Sequence, residues 1–261
     1  MGGLSLVLIF HSAIIISGKF ITIGAEKIVD LTWTFDNDTI NWSGTSSFHY
    51  TKKIEGNDLG YWYAMNEFQT GEHCGTHLDA PYHFNKEGWK TNEISVEHLV
   101  ANGMLVDFSN EVEKFGADYI VNATLLEQKL DALQPIPNNT VLLIKFGWSK
   151  YWPNRNKYAG LNQLHFPGLD KSSSTIIVNK KQFVGVGVDT ISVDVGTSRE
   201  FWSHRVLNGH NIYVLENVKL MENLPDKGFR LIVAPMKLGE GTGAPVRIFA
   251  LLDESSKSND K

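Results

Sequence analysis

The segment from His73 to His83 constrains the fold more than any other part of the chain. It carries three histidines and one aspartate at odd-numbered positions: His73, His77, Asp79 and His83. An extended backbone sends all four side chains to one face, whereas a helix would bring His73 and His77 together and carry His83 away. A glycine, a β-branched threonine and a proline within the segment favour an extended or looped form over a helix. The sequence therefore predicts an extended or looped segment, which presents the four side chains together where it is extended.

These residue types predict a metal site. Neutral imidazoles and a carboxylate that converge on one point form the ligand set of zinc or a similar divalent cation. A single histidine is more often a surface or hydrogen-bonded residue, but three of them packed beside one aspartate without a cation would be costly to desolvate. The segment is not the helical protease motif, because Cys74 stands where that motif has its glutamate base.

A second group of ligands is expected further along the chain. The spacing predicts a helix over 198–207, with Thr197 or Ser198 as its N-cap and a glycine just past its end. His204 lies on this helix, and Glu216 ends the strand that follows. A helix, a glycine turn and a returning strand could bring the two side chains together. Spacing alone is a weak signal for this second group of ligands. The alternative is that His204 and Glu216 have no role in metal binding.

The length and composition predict one globular domain with enough apolar material for a core, since 42% of the 261 residues are hydrophobic. The 24 basic and 29 acidic residues give a formal net charge of -5. Neither sign clusters into a nucleic-acid surface or a polybasic membrane patch, so we do not expect nucleic acid as a partner.

Local patterns predict a fold rich in β-structure. Apolar runs predict strands at 27–34, 104–108, 141–146, 184–188, 212–215, 231–234 and 246–252. A capping box at 124–127 opens a predicted helix, and the aromatic segment 150–174 is interpreted as a long loop over a pocket. The fold class is therefore α/β or α+β with a mixed β-sheet, in a single domain over 26–253 with a polar tail at 254–261.

The amino-terminal region predicts a secretory leader. Residues 4–16 form an apolar run that is broken by only three polar residues. This length is typical of the core of a signal peptide rather than of a membrane span, although the usual positive n-region is missing. We interpret residues 1–25 as a signal peptide that is removed; a buried first strand and a signal anchor are the alternatives.

Glycosylation sequons favour the same location. They begin at Asn37, Asn41, Asn122 and Asn138. Together with the leader they predict a glycoprotein that is secreted or resides in the lumen of the secretory pathway. Cys74 is the only cysteine, so no intrachain disulfide can form even in an oxidising compartment.

The histidine-rich segment also resembles a family signature. The string His73-x-Gly75-Thr76-His77-x-Asp79-x-Pro81-x-His83 is similar to that of the metal-dependent cyclase-like family, which includes bacterial kynurenine formamidase and isatin hydrolase. Further similar segments span nearly all of the chain after the predicted leader; they are 30–32, 167–169, 186–189, 204–207, 216–217, 234–235 and 245–247. The resemblance implies a swivelling β/β/α fold of the α/β class, assembled as a homo-oligomer, a dimer or a tetramer.

The resemblance implies roles for individual residues. His73, His77 and Asp79 match ligands of a first metal ion, and Asp79 would bridge to a second. His204 and Glu216 match the two further ligands of formamidases.

His83 matches a residue that performs general acid/base catalysis, with a third metal ligand as its alternative role. The implied cofactor is one or two divalent ions, Zn²⁺ or Mn²⁺. The implied activity is metal-dependent hydrolysis of an amide C–N bond in a small-molecule substrate. The first candidate substrate is N-formylkynurenine, which an arylformamidase hydrolyses. An isatin hydrolase-like cyclic amidase is the alternative, and a secreted metal-binding protein without turnover is another.

The substrate pocket is expected to contain aromatic side chains. The candidates for stacking on a planar aryl substrate are Trp62, Tyr82, Trp148 and Trp152, although the core is the expected place for any single one of them. Cys74 and Phe146 are also candidates for the pocket lining. Both depart from the usual family pattern, so the resemblance does not identify the substrate.

Overall fold

The computed structural model describes residues 27–43, 48–58, 60–152 and 154–252. These residues form ten strands: β1 (Lys27–Asp30), β2 (His49–Gly56), β3 (Tyr63–Gln69), β4 (His77–Asp79), β5 (Val100–Asp107), β6 (Thr140–Lys145), β7 (Phe183–Val188), β8 (Tyr213–Glu216), β9 (Lys227–Pro235) and β10 (Gly243–Leu252). They also form six α-helices: α1 (Val96–Leu99), α2 (Ser109–Phe115), α3 (Ala123–Ala132), α4 (Arg155–Ala159), α5 (Lys171–Lys180) and α6 (Trp202–Asn208).

Seven of the described strands close into a barrel-like sheet. The order is β10-β4-β8-β7-β6-β5-β9, and β9 pairs with β10 to complete the ring. The strands β5 to β8 run parallel to one another, while the remaining pairs are antiparallel. β1 extends the sheet along the end of β10, and β2 and β3 form a separate two-stranded hairpin. The predicted α/β class with a mixed sheet in one domain is confirmed.

Alternating side chains divide the core into two apolar layers. In β6, Val141 and Leu143 point into the barrel, and Leu142 and Ile144 point outward. The inner layer also contains apolar residues of β4, β5, β8, β9 and β10. In the outer layer, apolar residues of the parallel strands pack against apolar residues of α2, α3, α5 and α6. Both faces of these strands are buried, which is why they appear in the sequence as continuous apolar runs.

The histidine-rich segment enters the middle of this sheet. β4 lies between β10 and β8, and its residues pair in register with both neighbours. Only His77–Asp79 of the segment is a strand, because Pro81–His83 turns into a short 3-10 helix. The segment is therefore extended at its centre, whereas its end forms a tight turn in which His83 no longer alternates with Asp79.

Two predicted helix starts were wrong by a few residues. α3 is capped by Asn122, whose side chain accepts a hydrogen bond from the Leu125 N–H, so the expected capping box at Thr124 does not form. α6 begins at Trp202 rather than at Ser198. The Ser198 hydroxyl instead accepts from the Phe201 N–H, which closes a turn before the helix. The predicted glycine past the end of α6 is confirmed as the C-cap Gly209.

Three elements were missed in segments interpreted as irregular. α4 lies inside the expected loop over 150–174. α5 lies partly inside it and begins with a capping box formed by Asp170 and Ser173. Its serines and β-branched residues favour helix only weakly, so the sequence gives little signal. β2 was missed because it lies in a polar segment. Most of its residues are exposed, so apolar and polar residues do not alternate as they do in a strand that faces a core.

Residues 1–26 and 253–261, which contain the predicted signal peptide and the predicted polar tail, lie outside the described residues. Within the described part of the chain, no helix has both the length and the apolar character needed to cross a membrane. Of the four sequon asparagines, Asn37, Asn122 and Asn138 are exposed and Asn41 is buried. Burial makes Asn41 a poor acceptor for a glycan in the folded protein.

Candidate metal centre

Three candidate ligands lie on two adjacent antiparallel strands. Leu78 points into the barrel, so its neighbours His77 and Asp79 point to the outer face of β4. Glu216 pairs with His77 across the strands and shares this face. The Nε2 atom of His77 lies 3.2 Å from Asp79 Oδ1 and 3.4 Å from Glu216 Oε2. All three side chains are buried.

Helix α6 brings a fourth ligand to the same point. His204 Nε2 lies 3.2 Å from Asp79 Oδ2 and 3.2 Å from Glu216 Oε1. On the other side of the ring, Asp194 Oδ2 accepts a hydrogen bond from Nδ1 at 2.7 Å. Asp194 also accepts from the backbone N–H groups of Ser203 and His204 at the start of the helix. One carboxylate therefore fixes both the helix and the orientation of its histidine.

His73 and His83 reach the cluster from the opposite side of Asp79. His73 Nδ1 lies 2.5 Å from Asp79 Oδ1. The rings of His73 and His83 are stacked, with centroids 4.0 Å apart and planes inclined by 26°. The 3-10 turn after β4 places His83 there, so the four side chains of the segment still converge although its end is not extended.

The geometry defines two candidate ligand sets that share one aspartate. The first contains His73, Asp79 and His83, and the second contains His77, Asp79 and Glu216; within each set the ligand atoms lie within 4.8 Å of one another. The predicted bridging position of Asp79 matches this arrangement. His83 also lies within reach of an ion, so its alternative role as a ligand agrees with the geometry. Which histidine accompanies which ion stays a prediction.

The hydrogen bonds of the imidazoles show that the residues fit a cation. His77 Nδ1 donates to the Gly75 carbonyl at 2.9 Å, which leaves a lone pair on Nε2. That buried Nε2 atom forms no hydrogen bond within the described residues and faces the carboxylates of Asp79 and Glu216. His204 is arranged alike, with Nδ1 held by Asp194. Lone pairs that face carboxylate oxygens repel unless a cation or a proton lies between them.

The electrostatics of the cluster lead to the same conclusion. Burial lowers the pKa of His77, but the carboxylates of Asp79 and Glu216 outweigh it and raise the pKa well above 6.5. Burial also lowers the pKa of His204, but the carboxylates of Asp194, Asp79 and Glu216 outweigh it and raise the pKa well above 6.5. The carboxylates therefore attract positive charge to this point, and a divalent ion would compete with protons for it.

A cavity of ≈ 290 Å³ opens beside these ligands. One wall carries His73, His77, His83, His204 and Glu216. The opposite wall is mostly aromatic and apolar, formed by Trp42, Phe84, Ile191 and Phe201, with Ser192 and Asn217 between the two walls. The Phe201 ring lies 5.8 Å from Trp42 and 5.7 Å from Phe84, centroid to centroid. The cavity therefore pairs a polar ligand cluster with a flat apolar surface.

The aromatic candidates named from the sequence do not line this cavity. Trp62, Tyr82, Trp148 and Trp152 are absent from the lining of this cavity. Trp148 and Trp152 belong to the outer core layer, and Trp62 is 64% exposed beside the hairpin. Cys74 and Phe146 are also buried elsewhere. Phe84 could have been found, since it follows His83 directly, but nothing in the sequence distinguishes Trp42 or Phe201 from core aromatics.

Comparison with known proteins identifies the family. Residues 29–195 match the model of the family described as "Putative cyclase", which is more than half of the chain. The chain belongs to the cyclase family. The resemblance predicted from the histidine-rich segment is thus confirmed.

Curated members of the cyclase family are similar over most of their length. An isatin hydrolase from Roseibium aggregatum is 28% identical over 207 residues, which cover 75% of this chain and 78% of that protein. A kynurenine formamidase from Bacillus cereus is 26% identical over 219 residues, which cover 84% of this chain and 94% of that protein.

Solved structures of the family share the fold. An isatin hydrolase bound to the product analogue thioisatinate has a TM-score of 0.80 at 26% identity, over 87% of this chain and 93% of the other. An isatin hydrolase A from Ralstonia solanacearum has a TM-score of 0.78 at 26% identity, over 87% and 92%. These likenesses confirm the predicted cyclase-like fold.

Proposed function

We propose that this protein is a metal-dependent hydrolase of amide C–N bonds, with N-formylkynurenine as its first candidate substrate. The observation that carries the proposal is the pair of ligand sets that share Asp79 at the wall of an aromatic cavity. The similarity to a kynurenine formamidase and an isatin hydrolase supports this reaction class. The cofactor is one or two ions of Zn²⁺ or Mn²⁺, because both accept mixed histidine and carboxylate ligands.

The ligand residues would hold the ions at the polar wall of the cavity. These residues would be His73, His77, Asp79, His204 and Glu216, which lie together around Asp79. When bound, such an ion polarises a carbonyl group and lowers the pKa of a water molecule towards neutrality.

His83 would carry protons between water and the leaving nitrogen. Burial is the largest cause that lowers its pKa, to about 4, so the ring is neutral near pH 7 and can accept a proton. It accepts one proton from the attacking water as the new C–O bond forms. It then returns this proton to the nitrogen as the C–N bond breaks, which yields a carboxylic acid and an amine.

The opposite wall would bind the aryl group of the substrate. Trp42, Phe84 and Phe201 offer flat surfaces within a cavity of ≈ 290 Å³. A cyclic aryl amide such as isatin is the second candidate substrate. It is favoured by the TM-score of 0.80 to the isatin hydrolase that binds thioisatinate.

An assay of both substrates tests the proposal. The purified protein is stripped of metal, reloaded with Zn²⁺ or Mn²⁺, and given N-formylkynurenine and isatin in separate reactions. We expect hydrolysis only after loading. Asp79→Asn should abolish it, whereas Asp118→Asn, which alters an exposed carboxylate paired with His165, should not. Tight metal binding without hydrolysis of either substrate would instead support a secreted metal-binding protein without turnover.

We further propose that the protein is exported and forms a homo-oligomer. The apolar run at 4–16 and the exposed sequons at Asn37, Asn122 and Asn138 support export. The exposed hairpin formed by β2 and β3 supports association of subunits.

A further inference from the structure

His73 is the most exposed of the three histidines that the resemblance assigns to metal. Its side chain is 26% exposed, compared with 3% for His77 and 5% for His204. Packing alone therefore leaves the His73 ring more freedom than the other two rings. A polar contact is needed to hold it in one orientation.

Thr242 and Glu72 supply this contact. His73 Nε2 lies 2.9 Å from the hydroxyl oxygen of Thr242. The same hydroxyl lies 2.6 Å from Glu72 Oε2. Glu72 Oε2 also accepts from the backbone N–H groups of Thr242 at 2.9 Å and Gly243 at 3.3 Å. These residues join the start of the histidine-rich segment to the loop before β10.

The directions of these hydrogen bonds follow from the donors. An oxygen of Glu72 that accepts two backbone N–H groups acts as an acceptor, so the Thr242 hydroxyl donates its single hydrogen to it. The hydroxyl oxygen can then only accept from His73, which places the ring hydrogen on Nε2. In a neutral ring this leaves the lone pair on Nδ1, the atom that lies 2.5 Å from Asp79 Oδ1, and a cation bound there would take the place of a proton.

We infer that Glu72 and Thr242 are positioning residues that fix His73 in the tautomer with Nδ1 free to bind the metal. This inference rests on the metal site of the proposed function and adds the residues that orient one of its ligands. Outer hydrogen-bond partners of this kind set the tautomer and the ring orientation of metal-binding histidines.

The backbone of β10 confines the ring from another side. A Cβ atom on Gly243 would lie 2.6 Å from His73 Cε1 and 3.1 Å from Nδ1. The ring therefore packs against a backbone that has no side chain, and His83 stacks on it at 4.0 Å. Apart from the contact of Nδ1 with Asp79, the directional hydrogen bond of the ring is the one that Thr242 accepts.

Zinc affinity of three threonine variants tests the inference. Thr242→Val removes the hydroxyl and keeps the shape, Thr242→Ser keeps the hydroxyl, and Thr91→Val is the matched control. Thr91 donates at 3.1 Å to the carbonyl of Gly241, the residue before Thr242, and belongs to neither ligand set. In competition with a chelator, we expect Thr242→Val to bind zinc about 10- to 100-fold more weakly. The other two variants should bind zinc like the unsubstituted chain.

A second measurement reads the tautomer itself. In the zinc-loaded full chain labelled with ¹⁵N at histidine, NMR should show a hydrogen on His73 Nε2 that exchanges slowly with water. Thr242→Val should make this exchange faster. If Thr242→Val does not fold, Thr242→Ala replaces it, because it also removes the hydroxyl that accepts from His73.

The outcomes separate this inference from the proposed function. If the unsubstituted chain binds no zinc, both fail. If it binds zinc but Thr242→Val binds it equally well, or if His73 binds through Nε2, only the positioning role is overturned. An equal loss in Thr91→Val would also overturn it, because the effect would then belong to the loop and not to the hydrogen bond.

Discussion

Asp79 has more contacts within the cluster than any other candidate ligand of the described chain. Its Oδ1 atom faces His73 and His77, and its Oδ2 atom faces His204. Burial raises the pKa of Asp79, but His73, His77 and His204 hold it well below 3.8. A carboxylate that stays ionised in a buried position is suited to bridge two cations.

The geometry is compatible with two roles for His83, general acid/base catalysis and metal binding. We expect His83→Ala to lower kcat by about 10²- to 10⁴-fold, because the variant loses the group that accepts and returns the proton. Its metal content, measured by mass spectrometry, should equal that of the unsubstituted chain. His165→Ala, which removes an exposed histidine paired with Asp118, is the control and should change neither quantity. Loss of metal from His83→Ala would assign His83 as a ligand instead.

The histidine-rich segment shows which residues of the site the sequence could predict. His77 and Asp79 share a face because they alternate on one strand, and this follows from spacing alone. The approach of His204 and Glu216 depends on how α6 packs against β8, which local spacing only suggests. The resemblance to the cyclase family is what predicted that His204 and Glu216 lie close together. Trp42 and Phe201 could not be predicted, because their position in the cavity depends on chain segments far apart in sequence.

The turn that follows β6 is tied to the end of β7 by one buried carboxylate. Asp189 accepts from the backbone N–H groups of Phe146 and Trp148 at 2.7 Å each, and from Ser149 at 3.1 Å. Burial raises the pKa of Asp189 to about 6, although these hydrogen bonds lower it. Removing the carboxylate would leave buried N–H groups without their acceptor, which is costly.

A pH dependence of stability follows from this turn. Because the pKa of Asp189 is higher in the folded protein than its ordinary 3.8, its contribution is fully present below that value and is lost as the pH rises through 6. The loss amounts to about 3 kcal/mol of unfolding free energy. We expect Asp189→Asn to be less stable than the unsubstituted chain, with a difference that shrinks between pH 4 and pH 7. Urea unfolding at several pH values measures this.

Asp170→Asn provides a control of opposite sign. Burial raises the pKa of Asp170, but hydrogen bonds from Ser173 and Ser172 at the start of α5 outweigh it, so the pKa is lowered. The stability difference for this variant should therefore grow as the pH rises through the titration range of the unfolded carboxyl group. The same trend in both variants would contradict the role assigned to Asp189.

The elements themselves were predictable to the extent that they face a core. β6 and β7 bury both faces and were found within one residue of their ends. α5 was missed because its capping box begins a helix rich in serine. β2 was missed because it lies on a hairpin with few buried side chains, where no alternation of apolar residues marks a strand.

The whole molecule carries an apolar surface that a single subunit leaves exposed. The hairpin of β2 and β3 lies outside the barrel-like sheet. Six large apolar residues in and beside it are at least 40% exposed; they are Tyr50, Tyr61, Trp62, Tyr63, Met65 and Phe68. A two-stranded hairpin is marginally stable alone in water, and contiguous exposed apolar patches usually mark an interface.

We therefore expect the protein to sediment as a dimer or a tetramer. Replacing Trp62 and Met65 by serine should shift the equilibrium towards monomer, because the substitutions remove apolar area from the hairpin. Phe115→Ser is the control, since Phe115 is 62% exposed on α2, away from the hairpin. Analytical ultracentrifugation measures the mass. A monomer for the unsubstituted chain, or an equal shift in the control, would contradict this prediction.

An X-ray anomalous difference map of crystals grown with Zn²⁺, collected at the zinc absorption edge, tests whether a cation joins β4 to β8 and α6. We expect one or two peaks about 2.0–2.2 Å from the carboxylate oxygens of Asp79, with His77 and Glu216 or His204 among the remaining ligands. A map with no peak within coordinating distance of Asp79, in crystals that hold zinc elsewhere on the protein, would contradict the metal-dependent hydrolase.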